Sequence, residues 1–147
     1  MKAIVQSRYG NPDEVLSVAD TARPVPRADE VLIRARAASM HADVWHVVMG
    51  WPYFLRLMGA GRLRPRVKIP GTDLAGTVES VGSEVTRFAP GDAVCGEIIK
   101  GHQWKNGGAF AEYVAVPTER LVAKPENLSF EMAAAVPTSG LLALQMV

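Results

Sequence analysis

Glu30-Val31-Leu32-Ile33-Arg34-Ala35-Arg36-Ala37-Ala38 decides the fold class. Alternation puts Val31, Ile33, Ala35 and Ala37 on one side, and Leu32, Arg34 and Arg36 on the other. The first set reads as core and the two arginines as solvated residues. Outward from this strand, short β-type runs recur at Lys2–Gln6, 15–18, Asp73–Val81, 93–99, 109–116 and 120–124. Breakers separate them: Gly10, Asn11 and Pro12, then Pro24 and Pro26, then Pro90-Gly91 inside Phe88-Ala89-Pro90-Gly91-Asp92. Gly76, within Asp73–Val81, predicts a bulge or a close backbone approach. Many short strands with Gly/Pro turns predict a mainly β fold with a few helices, arranged as a closed or partly closed barrel.

Helical signals are few. Residues 44–49 read as a short helix stopped by Gly50 and Pro52. Ser129 is placed to cap Phe130–Ala135, with Pro137 expected to end it. Residues 140–147 (GLLALQMV) are apolar helix material with no closing Gly or Pro, so the chain is expected to be the front part of something longer.

The composition narrows the function. The chain has 147 residues, 48% hydrophobic and 21% charged, enough for one ordinary globular core. A net charge of +1 gives no reason to expect a nucleic-acid or membrane-surface partner. One cysteine, Cys95, allows neither a disulfide within the chain nor a cysteine cage for zinc. The N-terminus lacks the long apolar region of a signal peptide, and no run of roughly 18 apolar residues offers a membrane span. A cytoplasmic location is expected.

Several segments, in order, resemble the N-terminal catalytic domain of the medium-chain dehydrogenase/reductase superfamily. They are Met1-Lys2-Ala3-Ile4, Arg36-Ala37-Ala38-Ser39, the stretch from Ile69-Pro70-Gly71-Thr72-Asp73 to Gly82, Val85 to Val94, Gly107 to Tyr113, and Ala133-Ala134-Ala135-Val136-Pro137. The branch they resemble is the zinc-independent, quinone-oxidoreductase-like alcohol dehydrogenases. The resemblance implies a partly open GroES-like β-barrel over residues 1–125, with 126–147 as the helical start of a connection to a Rossmann domain. It implies NADP(H) or NAD(H), held mainly by that Rossmann half. No G-x-G-x-x-G loop occurs here, and Gly59-Ala60-Gly61 neither completes one nor follows a strand. The substrates implied are quinones, enones, aldehydes or ketones.

The resemblance also bears on metal. Zinc-dependent relatives supply a Cys, a His within Gly-His-Glu and a later Cys. The matching positions here hold His41, Thr72 and Thr138, and a neutral threonine hydroxyl is a poor zinc ligand. No zinc is therefore expected, although His41 and Asp73 with Asp43 or His46 offer an alternative donor set.

Ser39-Met40-His41-Ala42-Asp43-Val44-Trp45-His46 carries the candidate chemistry. His41 can donate to a carbonyl oxygen or move a proton, or can simply order the loop. Thr72 is the second hydrogen-bond donor in the catalytic set. Asp43 aligns with a proton-relay position, but Asp at a helix start also accepts backbone N–H bonds there. His46 lies three residues on, where it can pair with Asp43, reach the cofactor or pack; His41 and Thr138 are the other candidates for contact with the cofactor. Trp45, Val47 and Val48 read as packing residues.

Between Val44 and Thr72 there is no acidic residue, whereas Arg56, Arg62, Arg64, Arg66 and Lys68 are all present. Trp51, Tyr53 and Phe54 are candidates for an apolar wall of the substrate pocket, and the basic residues for attracting cofactor phosphates. The plain alternative is a solvated surface excursion. Tyr113 reads as a core or edge residue of a strand, and His102 as a solvated loop residue. Two readings of the chain remain open: a domain of a zinc-independent reductase, or a truncated non-catalytic GroES-like module that self-associates through its exposed C-terminal helix or binds a partner or a small molecule.

Overall fold

The computed structural model describes residues 1–99 and 107–147; His102 lies outside the described residues. Five strands form one antiparallel sheet in the order β6-β3-β4-β5-β7. They are β3 (Glu30–Ser39), β4 (Asp73–Val81), β5 (Ala93–Glu97), β6 (Tyr113–Pro117) and β7 (Val122–Ala123). A separate hairpin of β1 (Lys2–Gln6) and β2 (Leu16–Asp20) docks on it. The docking uses one bridge, Ala3 to Ala111, plus the bonds Ile4 N–H to Phe110 O and Glu112 N–H to Lys2 O. The result is an open sheet with a covering hairpin, so closure of the barrel stays partial.

The core lies where the alternation of β3 predicts it. Val31 and Ile33 are fully buried with Leu74, Val94, Val116 and Leu121. Leu32, expected on the polar side, is buried as well, beside a register shift in the β3–β4 pairing at Leu32/Ile33. Arg34 and Arg36 are exposed. Gly76 fulfils both of its expectations: the register slips between Ala35 and Ala37, and a Cβ on Gly76 would sit 2.3 Å from the Arg34 carbonyl oxygen. The long strand expected over 109–116 is regular only from Tyr113, because 109–112 serve the hairpin instead. Tyr113 sits on β6, at the edge of the sheet.

Among the described residues four α-helices decorate the sheet: α1 (Pro12–Val15), α2 (Ala42–Met49), α3 (Phe130–Ala135) and α4 (Pro137–Gln145). Val15 of α1, which the sequence reading placed in a strand, packs with Val44 and Val48 of α2. Trp45, expected to pack, is 43% exposed, whereas Val47 and Val48 are buried. The Ser129 hydroxyl caps α3, accepting from the Met132 amide at 3.2 Å. Ala133 and Ala134 then bury against Ala75 and Cys95. Pro137 does not merely end α3. It opens α4 at its first position, where a missing N–H costs nothing, so this helix starts three residues before the expected Gly140. α4 buries no residue among those described. No helix among the described residues is long and apolar enough to cross a membrane.

Candidate active site

The site forms where β3 ends, β4 begins and α4 starts. Gly71 delivers the chain to Thr72. Its φ of +88° suits glycine, and a Cβ there would meet the Phe110 ring at 2.5 Å. Its carbonyl accepts from the amides of Gly108 and Ala109, both at 3.1 Å, which fixes the entry to β4. Thr72 and Asp73 are consequently buried side by side, Asp73 with no exposed surface at all.

From the opposite strand end, His41 leaves β3 as the N-cap residue of α2, with extended backbone (φ −116°, ψ 171°). Its Nε2 lies 2.6 Å from Thr72 Oγ1. Thr72 Oγ1 in turn donates to Asp73 Oδ1 at 3.3 Å. Thr138, in the first turn of α4, donates its amide to Asp73 Oδ2 at 2.9 Å and its hydroxyl to Oδ1 at 2.8 Å. His41, Thr72 and Thr138, which the resemblance set against zinc-ligand positions, thus converge, and the Asp73 carboxylate joins them. The donors are two hydroxyls already spent on a carboxylate and one imidazole. This set does not fit zinc, and among the described residues no three His, Cys, Asp or Glu side chains could hold an ion.

Asp43 is corrected in its local role. The N-cap is His41, and no side chain caps α2. Asp43 occupies the first turn, 38% exposed, its Oδ2 3.7 Å from His41 Nδ1. That separation is too long for a hydrogen bond. Nδ1 is therefore without a hydrogen-bond partner among the described residues, on a side chain only 8% exposed. His46 does not pair with Asp43: its Nδ1 lies 2.7 Å from the Trp51 carbonyl oxygen, beyond the end of α2.

Glu97 is a residue the sequence reading overlooked. It is the β5 partner of Asp73, and the β-pairing of two acidic positions is visible only once β4 and β5 are aligned. Burial, then the Asp73 charge, push its carboxyl up from the ordinary glutamate value, against the pull of His41 and Arg120. Cys95 is buried, and desolvation raises its thiol despite Lys124 nearby, which makes it a poor nucleophile.

The aromatic residues stand beyond α2. Trp51, Tyr53 and Phe54 are 48%, 63% and 57% exposed, with Trp51 and Tyr53 edge-to-face at 5.1 Å. Arg56 holds this step in place. Its guanidinium lies over Tyr9 (4.3 Å) and Tyr53 (4.7 Å), and donates to the carbonyls of Gly50 (2.9 Å) and Met49 (3.3 Å). Arg62, Arg64, Arg66 and Lys68 are all exposed. Arg66 and Lys68 line a groove with Ile98, Gly107 and Gly108.

An open antiparallel sheet with a polar site between its strand ends and a departing helix is the architecture of the catalytic half of medium-chain dehydrogenases/reductases. The chain belongs to the alcohol dehydrogenase GroES-like domain family, which matches residues 27–126. It is 37% identical over 147 residues to a chloroplastic quinone-oxidoreductase homolog of Spinacia oleracea, covering 99% of this chain and 41% of that protein. Among solved structures, the quinone oxidoreductase of Coxiella burnetii superposes with a TM-score of 0.85 at 33% identity, covering 99% of this chain and 43% of that one. The Escherichia coli quinone oxidoreductase complexed with NADPH gives 0.80 at 25% identity, over 99% and 40%. The chain therefore spans about two fifths of the length of the relatives it matches.

Proposed function

We propose that the protein containing this chain is an NADP(H)-dependent reductase of quinones or related carbonyl compounds that works without zinc. The observation that carries this reading is the fate of the three positions compared with zinc ligands: His41 is bonded to Thr72, and Thr72 and Thr138 are joined through Asp73, instead of presenting a metal-binding set. A bound reduced nicotinamide supplies the hydride. The negative charge that then develops on the substrate oxygen must be met by hydrogen-bond donors. Both threonine hydroxyls are directed inward, to Asp73. His41 Nδ1, without a hydrogen-bond partner among the described residues, is assigned to serve as hydrogen-bond donor and as source of the proton that completes the reduction. Asp43, partly exposed beside it, connects that nitrogen to solvent. Thr138 and His46 are assigned to the nicotinamide side, and Trp51, Tyr53 and Phe54, exposed beyond α2, to an apolar wall for a flat substrate. The main cofactor-binding half is assigned to sequence following the connection that starts at residue 126.

The test is NADPH oxidation by a 1,4-benzoquinone in the full-length protein, produced without a histidine tag and treated with chelator. Turnover that survives, with zinc well below one per chain, is expected; activity lost on chelation and restored by zinc would overturn the reading. A second reading applies to the 147 residues alone. Leu141, Leu142, Leu144 and Met146 are 54%, 53%, 73% and 87% exposed on and just beyond α4, which favours association through that helix. On that reading the isolated chain binds no NADPH and elutes as a dimer or larger.

A further inference from the structure

Asp73 is an unusual residue to find at the bottom of a β-sheet. It has no exposed surface, and among the described residues no lysine or arginine pairs with it. A buried carboxylate without a cation is costly unless donors surround it. Here the donors are three: the Thr72 hydroxyl, the Thr138 hydroxyl and the Thr138 amide. One carboxylate thus caps α4 from outside the helix and also takes the proton of the hydroxyl that faces His41.

The second bond has a directional consequence. A threonine hydroxyl has one proton. The Thr72 hydroxyl proton has two acceptors in reach, the Asp73 carboxylate at 3.3 Å and His41 Nε2 at 2.6 Å, and only when it is given to the carboxylate, the charged acceptor, must Thr72 Oγ1 accept from the imidazole. His41 Nε2 must then carry hydrogen, and it carries it whether the ring is charged or neutral. Nδ1, the nitrogen without a hydrogen-bond partner, is left as the one that gains and loses a proton.

We infer that Asp73 is a positioning residue: through Thr72 it fixes His41 as the Nε2–H tautomer, so that proton release is confined to Nδ1, on the side of Asp43. Aspartate orienting a histidine is a familiar arrangement in hydrolytic triads; here a threonine hydroxyl stands between the two. During reduction the hydride goes to the substrate carbon and the Nδ1 proton to its oxygen. The imidazolium becomes a neutral ring that keeps Nε2–H on Thr72. Oxidation of the product runs the same transfers backwards. The final step rests on the reductase reading, whereas the tautomer does not.

The experiment is 15N NMR of the full-length protein labelled at histidine, recorded at a pH where the ring is neutral, with His41→Gln to assign the signal. The wild type is expected to show His41 with hydrogen on Nε2 and a bare Nδ1. Asp73→Asn and Thr72→Val should each shift His41 toward the Nδ1–H form or a mixture. Thr72→Val keeps the volume and deletes only the hydroxyl, so it decides the matter if Asp73→Asn does not fold. A wild-type Nδ1–H tautomer, or an unchanged tautomer in Thr72→Val, overturns the inference. In quinone reduction Asp73→Asn should lower kcat about tenfold to a hundredfold with KM little changed, since misorientation by small distances costs that much. Absence of wild-type turnover would sink the reductase reading and leave the tautomer result standing.

Discussion

The start of β4 and the excursion over residues 51–68 lie within one chain and meet the same helix, α2, yet they invert each other. At the start of β4 polar side chains are buried and bonded to one another: Thr72 and Asp73 are 3% and 0% exposed. In the excursion large apolar side chains stand in solvent, Leu57 at 75% and Leu63 at 86%, with Arg62, Arg64 and Arg66 exposed as well. A hydrophobic residue at the surface carries little information, whereas a buried polar one demands partners. The cluster of aromatic and basic residues is thus the more exposed part of the site, and the tripeptide Gly71-Thr72-Asp73 is its buried anchor.

The sharpest break of this contrast is a pair of identical substitutions. Leu74→Ala, next to Asp73 and fully buried, should cost about 2–5 kcal/mol in urea unfolding. Leu63→Ala, 86% exposed, should stay within about 0.5 kcal/mol of wild type. Equal effects would mean that the excursion packs in solution as tightly as the sheet. Arg56→Ala probes one attachment of the excursion, beside the Tyr9 hydroxyl on the Ala60 and Gly61 carbonyls and the Gln6 bonds to Val67 and Lys68. It removes two carbonyl bonds and two ring contacts, for an expected loss of about 1–2 kcal/mol and a weaker near-ultraviolet circular dichroism signal from Trp51 and Tyr53. An unchanged aromatic signal would show that the step is held by something other than Arg56.

Glu97→Gln has the smallest expected effect. The Glu97 carboxyl is raised in the folded protein, so folding binds protons there, and wild-type stability falls as pH rises from the ordinary value through the raised one. The glutamine variant should be slightly more stable than wild type at neutral pH. The gap should close on acidification below the ordinary glutamate pKa of about 4.3. A gap that widens on acidification would mean that the carboxylate is favoured in the fold, and would separate Glu97 from the Asp73 cluster.

Much of the fold was legible. Alternation in Glu30–Ser39 placed the core, Gly76 marked the bulge, and Ser129 marked the start of α3 because a cap is a local bond between near neighbours. Where local signals competed, the reading slipped. Pro137 is equally suited to follow one helix and to open another, and residues 109–112 have strand propensity but are claimed by the hairpin. In the site, the proximity of His41 to Thr72 followed from the family resemblance. The pairing of His46 with the Trp51 carbonyl and the place of Asp43 inside α2 did not, because both depend on where the helix begins.

The sequence by itself determined the strands, the family and the side chains available for chemistry, since these follow from periodicity, turn residues and ordered motifs along the chain. Only the tertiary structure decided what Asp73 does. Its partners are Thr72, one residue away, and Thr138, 65 residues away, and across the sheet it faces Glu97. Burial and hydrogen-bond direction are properties of an enclosed space that several elements build together, and no single segment of the chain contains them.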